Sequence, residues 1–457
     1  MSTFKKGFLW GNSSSSMQTE GAWDKGGKGM SVYDIREATE TSSDWKDGTD
    51  SYHRYAEDFD YMKEMGMNCY RFQISWSRVC PLGDGEFNEE GIAFYDTFID
   101  DLIARGIEPM ACLYHFDMPL HLAKTYNGFV SREVVDAFVR YGKEMLKRFG
   151  HKVKYWITMN EQNIFSTPYA FKISGYLKGD MTSLEQYTIS HNTMMAHARF
   201  SNHLKANYPN CLIGGMLTYM EPYPLTSRPG DVYLARKLDE FLNHNLLEAY
   251  THGKYSTEFM KFLDNHHLMH IILDGDLAEI SQMRSDFLAF SYYASQTVDS
   301  TKVDDATSIA TSMKALVKNP YLEGTADWNW QIDPLGLRNI TTKIYNRYKL
   351  PVFVVENGIG VQEEWDGENE IQDDYRISYH RDHIQALKDS VAEDGVDLIG
   401  YLGWGLIDIL SSQGDMRKRY GMVYVNRTNH DLRDMKRVPK KSFYWMKKVT
   451  ASNGEEL

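Results

Sequence analysis

The chain has 457 residues, 42% hydrophobic and 25% charged, the balance of an ordinary folded protein long enough to bury a large core. Its net charge is −13 and no basic block runs beyond a few residues, which excludes binding to nucleic acid by phosphate neutralisation. A small anionic ligand is still allowed, because it needs only one local group of cations.

The opening stretch MSTFKKGFLWGNSSSS lacks a long apolar run, and no later segment reaches the ~18 consecutive apolar residues of a membrane span. A cytoplasmic protein without membrane contact is therefore expected. Taken in chain order, short runs rich in branched and aromatic residues predict strands at 8–10, 68–74, 108–115, 153–160, 212–217, 286–293, 352–356 and 398–404. Amphipathic helices lie between them. In 89–105, Ile92, Tyr95, Ile99, Leu102 and Ile103 share one face and Gly106 ends the run; 131–149 starts on a Ser cap and stops before Gly150. Cys69, Cys80, Cys112 and Cys211 are widely spaced without a CxxC pair, so free buried thiols are expected and neither disulfides nor a metal site.

Eight strands alternating with helices predict an α/β fold with a parallel sheet, either open and doubly wound or closed as a barrel. Eight is the number that closes a barrel. No GxGxxG follows an early strand, which disfavours dinucleotide binding. Length alone allows two or three domains, but no Gly/Ser/Pro-rich linker interrupts the chain, so residues 1–457 are read as one domain. Segments 299–311 and 362–374 are read as insertions that extend strand-to-helix loops.

Polar residues gather at the C-terminal ends of these strands: Arg71, His115, Asn160, Glu161, Tyr293, Glu356 and Trp404. In a barrel those ends share one mouth, where active sites sit. Glu161 closes WITMNE and Glu356 closes PVFVVENG, both after hydrophobic strands where an idle carboxylate is costly. Such a pair fits glycoside hydrolysis. With the two carboxyls about 5–5.5 Å apart, one attacks the anomeric carbon and the other gives a proton to the leaving oxygen. Charge on Glu356 would raise the proton affinity of Glu161, and glycosylation would remove that charge.

The segments FLWGNSSSSMQTEG, SYHRYAEDFDYMKEMGMNCYRFQISWSR, LYHFDMP, TMNEQ, FSYY, VVENG and GYLGWGLID resemble family 1 glycoside hydrolases, in order and along nearly the whole chain. The resemblance implies a (β/α)8 TIM barrel and hydrolysis with retention, without metal or organic cofactor. It implies Glu161 as acid/base and Glu356 as nucleophile, with Arg71 and Tyr293 hydrogen-bonded to Glu356. It also implies Gln18, His115 and Asn160 as holders of the glycone hydroxyls, Trp404 as the platform under the glycone and Trp330 as the aglycone platform. His53 is read as structural. Two positions depart from the family pattern: Gln162 stands where NEP has its proline, and Ser291 where many members have Asn.

After the eighth strand, ordinary β-glucosidases of the family carry FEW, whose Glu grips the 4- and 6-hydroxyls. This chain has LSSQGDMRKRYG, with Ser411 and Ser412 in place of the Glu and Trp. A carboxylate there would repel a phosphate dianion, whereas a serine, Lys418 and Tyr420 can donate to it. The segment resembles the Ser…Lys-x-Tyr motif of the 6-phospho-β-glycosidase branch, with both serines as candidates and Arg417 and Arg419 read as solvated charges. Ser412 in place of Trp favours a 6-phospho-β-glucosidase. A 6-phospho-β-galactosidase and an ordinary β-glucosidase are the alternatives, with a non-catalytic sugar-phosphate-binding barrel more remote. The partner expected is thus a phosphorylated β-glycoside, either a β-disaccharide or an aryl glucoside, and a homo-oligomer is left open.

Overall fold

In the computed structural model, which describes residues 3–180, 182–304, 312–325 and 327–457, each of the eight predicted runs contributes a strand. They are β1 (Leu9–Ser13), β2 (Cys69–Gln73), β3 (Glu108–Tyr114), β4 (Tyr155–Met159), β5 (Leu212–Thr218), β6 (Phe287–Tyr292), β7 (Val352–Asn357) and β8 (Leu398–Gly403). Every neighbouring pair is parallel, and β8 pairs with β1, so the sheet closes in sequence order into a barrel. The open, doubly wound alternative is thereby excluded.

The strands read as continuous apolar runs because both faces are covered. Phe287, Ala289, Phe353 and Val355 point inward with Cys69, Met110, Cys112, Ile157, Met216 and Leu402, while Leu288, Phe290, Val352 and Val354 pack outward beneath the helices. All four cysteines are free and buried. At Gly11 a Cβ would stand 1.8 Å from the Cys69 carbonyl oxygen, so the close approach of β1 to β2 requires glycine.

Strict alternation along β7, with Phe353 and Val355 inside, would send the next residue outward. The ladder between β7 and β6 instead shifts register between Val354 and Glu356, and Glu356 reaches the mouth. Such irregularities bend a strand and re-aim a side chain.

The helix at Glu89–Ala104 buries Ile92, Tyr95, Ile99 and Leu102, but Ile103 lies 44% exposed, one position off the face assigned to it. Gly106 adopts φ +76°, the left-handed stop expected of it. Ser131 precedes the helix Arg132–Phe149 in extended conformation, but its hydroxyl donates to the Glu133 carboxylate instead of accepting a backbone N–H. Among the described residues, no helix is long and apolar enough to cross a membrane.

Both expected insertions follow barrel strands. Residues 305–311 of the first lie outside the described residues; just before it, Gln296–Val298 joins Pro222–Pro224 and Leu316–Val317 in a small sheet. The second runs on from Val361–Gln362, which pairs antiparallel with Lys418–Arg419, so the loops after β7 and β8 are stitched together.

A buried ion network locks that stitch. Lys440 Nζ donates to Glu363 at 2.5 Å and to Asp408 at 2.9 Å. Arg376 pairs with Asp373 and Glu363, and also donates to the carbonyls of Ile359 and Tyr420 at 2.8 and 2.9 Å. Removing one member strands charges in a dry interior. Lys440→Met is expected to cost about 3–5 kcal/mol of stability. Urea unfolding monitored by tryptophan fluorescence measures the loss.

Candidate active site

The C-terminal ends of the barrel strands open into a cleft of ≈ 440 Å³. Gln18, His115, Asn160, Glu161, Tyr293, Trp330, Glu356, Trp404, Ser412, Lys418 and Tyr420 all line it. Two of the expected site residues do not. Arg71 is buried behind Glu356, and Ser411 faces the backbone of its own loop.

Glu356 is held at both oxygens: Arg71 Nη1 donates to Oε1 and Tyr293 donates to Oε2 at 2.8 Å. Burial pushes its carboxyl above the ordinary range, and the guanidinium and phenol pull it back. Arg71 Nη2 also donates to Asn160 Oδ1 at 2.6 Å, which leaves the Asn160 NH2 as the group offered to the cleft. One cation therefore orients two residues that line the site.

Among the described residues, no cation touches Glu161. It follows β4 in the left-handed region, at φ 43° and ψ 52°, an uncommon conformation for a residue with a side chain. Ser291 donates to its Oε1 at 2.5 Å, and the Thr218 hydroxyl adds a further hydrogen bond. Burial first, and then the charge of Glu356, raise its pKa to about 7. The two carboxyls thus differ in kind: Glu356 has a contacting positive charge that favours ionisation, and Glu161 is met by the hydroxyls of Ser291 and Thr218. That asymmetry suits a base-like group beside an acid.

The two departures from the family pattern flank this acid. Ser291, noted in the sequence only as a replacement, is a direct partner of Glu161. Gln162 is buried just after it; its Oε1 accepts from Tyr250 at 2.8 Å, while Nε2 finds no partner among the described residues. Thr218, at the end of β5, had no signal in the sequence beyond its place at a strand end.

Gln18 is fixed by donating to the Leu410 carbonyl at 2.6 Å and accepting from Ser15 at 2.5 Å. His115 is buried, and desolvation followed by the charge of Arg71 pushes its pKa well below the usual histidine range, so the ring is neutral. Its ring stands 5.7 Å from that of Trp404, whose peptide to Gly405 is cis.

At the far end of the cleft, the short strand Lys418–Arg419 decides what faces inward. Successive side chains on an extended segment point to opposite sides. Lys418 and Tyr420 line the cleft; Arg419 turns the other way and is buried, not solvated as its charge run suggested. It donates to the carbonyls of Val425 and Arg427 at 2.9 and 2.7 Å and lies over Tyr424. Arg417 is exposed and pairs with Asp415.

Lys418 makes no ion pair or hydrogen bond with any described residue. Its Nζ sits 4.2 Å from the ring centre of Trp330, 5.3 Å from Trp328 and 5.7 Å from Tyr420. Desolvation lowers its pKa to about 8. Burial, and then the nearby carboxylates, raise that of Tyr420, which keeps its hydroxyl a donor. Ser411 Oγ accepts the backbone N–H of Gln413 and Asp415 at 3.3 and 3.1 Å, closing the turn that leaves Ser412 exposed to the cleft. Trp330 donates to the Tyr293 carbonyl at 2.8 Å and stands against Lys418.

Residues 1–455 match the family model of glycosyl hydrolase family 1. The chain is 39% identical to the aryl-phospho-β-D-glucosidase BglC of Bacillus subtilis, over all of this chain and 98% of that protein. It is 38% identical to the 6-phospho-β-glucosidase AscB of Escherichia coli over the full length of both. Among solved structures, a family 1 β-glucosidase from Thermotoga maritima superimposes with a TM-score of 0.87 at 29% identity, covering 99% of each chain. The closed parallel barrel, the two buried glutamates at its mouth and the full-length match agree: the chain belongs to glycosyl hydrolase family 1.

Proposed function

We propose that this protein hydrolyses 6-phospho-β-D-glucosides to glucose 6-phosphate and the free aglycone, with retention at the anomeric carbon. The observation that carries the phosphate specificity is Lys418, a half-buried ammonium without a counter-ion among the described residues, in the same cleft as Glu161 and Glu356. An unpaired cation in a desolvated place is costly unless an anion joins it. A phosphate dianion also takes hydrogen bonds from the Tyr420 phenol and the Ser412 hydroxyl. Relatives named as 6-phospho-β-glucosidases support the same reading.

In the first half-reaction Glu356 attacks the anomeric carbon while Glu161 gives its proton to the departing oxygen. The carboxylate charge on Glu356 then vanishes into the ester, and Glu161, now ionised, takes a proton from the incoming water. Arg71 and Tyr293 hold the nucleophile ionised and oriented, and the Asn160 NH2 offers a donor to the sugar 2-hydroxyl, a contact that strengthens in the transition state. His115, neutral, is free to hydrogen-bond the glycone hydroxyls together with Gln18. Ser412, small where a tryptophan stands in the 6-phosphogalactosidases, leaves room for the gluco configuration. On this reading the reaction belongs to the cytoplasm, where phosphorylated sugars are found.

Lys418→Ala tests the phosphate end. It is expected to lower kcat/KM for a phosphorylated substrate by roughly 10²-fold and to change an unphosphorylated one little. Equal losses on both would make Lys418 a structural residue.

A further inference from the structure

Glu161 depends on its neighbours for its place as well as for its proton. It stands beyond the end of β4, in a left-handed conformation that a residue with a side chain keeps only when its surroundings hold it there. The last register pair between β4 and β5 is Ile157 with Gly214, four residues short of Thr218.

Asn163 takes over from that ladder. Its Oδ1 accepts the Thr218 N–H at 2.9 Å, and its Nδ2 donates to the Thr218 carbonyl at 2.7 Å. A primary amide carries the donor and the acceptor of a peptide group, so the side chain continues the pairing where the strands part. One end of this clamp is two residues from Glu161 in the chain, and the other carries the hydroxyl bonded to the Glu161 carboxyl.

The clamp is itself anchored. Asn163 Nδ2 donates its second proton to Asn243 Oδ1 at 3.0 Å, and Asn243 donates to Asp239 at 2.9 Å. Asn243 lies in the π-helical turn Glu240–His244, a rare widened turn found mostly at functional sites. Asp239 also accepts from the phenol of Tyr219, the residue after Thr218, and from Lys343, both at 2.7 Å. One buried carboxylate thus fixes both the chain beyond Thr218 and the amide that grips it. Asn163 borders the cleft, but both its N–H groups are spent on the protein and none is left for a substrate.

We propose that Asn163 is a positioning residue for the acid/base: backed by Asn243, it keeps the Glu161 carboxyl in line with the departing oxygen. The proposal rests on Glu161 as the acid/base and not on the phosphate reading.

Its loss should be felt only where the proton is needed. Two substrates with one glycone separate the cases: methyl β-D-glucoside, whose alkoxide must be protonated to leave, and 2,4-dinitrophenyl β-D-glucoside, whose phenolate leaves unaided. Both carry phosphate on O6 or neither does, so the phosphate reading drops out of the ratio. Asn163→Ala is expected to lower kcat/KM by roughly 10–10²-fold for the methyl compound and by less than about threefold for the dinitrophenyl one, the cost of a misplaced proton donor. Asn243→Ala should give the same split at smaller amplitude. General loosening of the barrel would lower both rates together, so an unchanged ratio overturns the proposal. Should Asn163→Ala not fold, Asn243→Ala decides by the same ratio. Glu161→Ala is the reference: without a split there, it is the acid/base reading that fails.

Discussion

Glu356→Ala is expected to lower kcat/KM on every β-glucoside substrate by on the order of 10⁴-fold or more, because no other group can form the glycosyl ester. Neither neighbour can substitute. Arg71 carries a fixed positive charge, and the Tyr293 hydroxyl, buried beside both carboxylates, is held protonated. The variant should remain folded, since the side chain removed stands at the cleft, but it leaves Arg71 without its carboxylate. Small anions such as azide should then enter from the vacated face and restore turnover, giving the product of opposite anomeric configuration. Near-native activity without added anion would refute the role of Glu356 as nucleophile.

Glu161→Ala separates acid from base by the leaving group. An aliphatic or sugar aglycone needs the proton, and its kcat/KM is expected to fall by about 10²–10⁴-fold. A nitrophenolate departs without help, so its glycosylation step should survive while water attack slows and the glycosyl-enzyme accumulates as a burst. The pH profile carries the same signature. Glu161 must hold its proton as glycosylation begins, and its pKa is raised to about 7, so kcat/KM falls as pH rises through about 7. Phosphorylated substrates alone should show a second loss through about 8, where Lys418 gives up its charge. For nitrophenyl substrates the first of these limbs should vanish in Glu161→Ala; its persistence would assign the ionisation to another group.

The barrel was readable because each strand is short, apolar on both faces and followed by an amphipathic helix. The two glutamates stood out for a related reason: carboxylates ending apolar strands are costly without a task. What the sequence hid depended on direction. Arg419 was indistinguishable from its charged neighbours until the short strand at 418–419 was seen to alternate sides. Ser411 and Ser412 look alike in sequence, and only the turn closed by the Ser411 hydroxyl separates them. Ile103 fell one position outside the buried stripe of its helix. The bonds from Ser291 and Thr218 to Glu161 span the barrel from β4 to β5 and β6, and no local spacing encodes such contacts. The same holds for Glu356, whose inward aim depends on a register shift in β7.

In the proposed reaction the pair of glutamates acts on a phosphorylated glucoside. The most direct measurement is kcat/KM for 4-nitrophenyl β-D-glucoside with and without phosphate at O6, under identical conditions near pH 7. One aglycone, one pair of carboxyls and one leaving group are common to both, so the ratio isolates the contacts of Lys418, Tyr420 and Ser412. A preference of roughly 10³-fold or more for the phosphorylated compound is predicted, the combined effect of one half-buried cation and two hydroxyl donors. Comparable turnover of the unphosphorylated glucoside would contradict it.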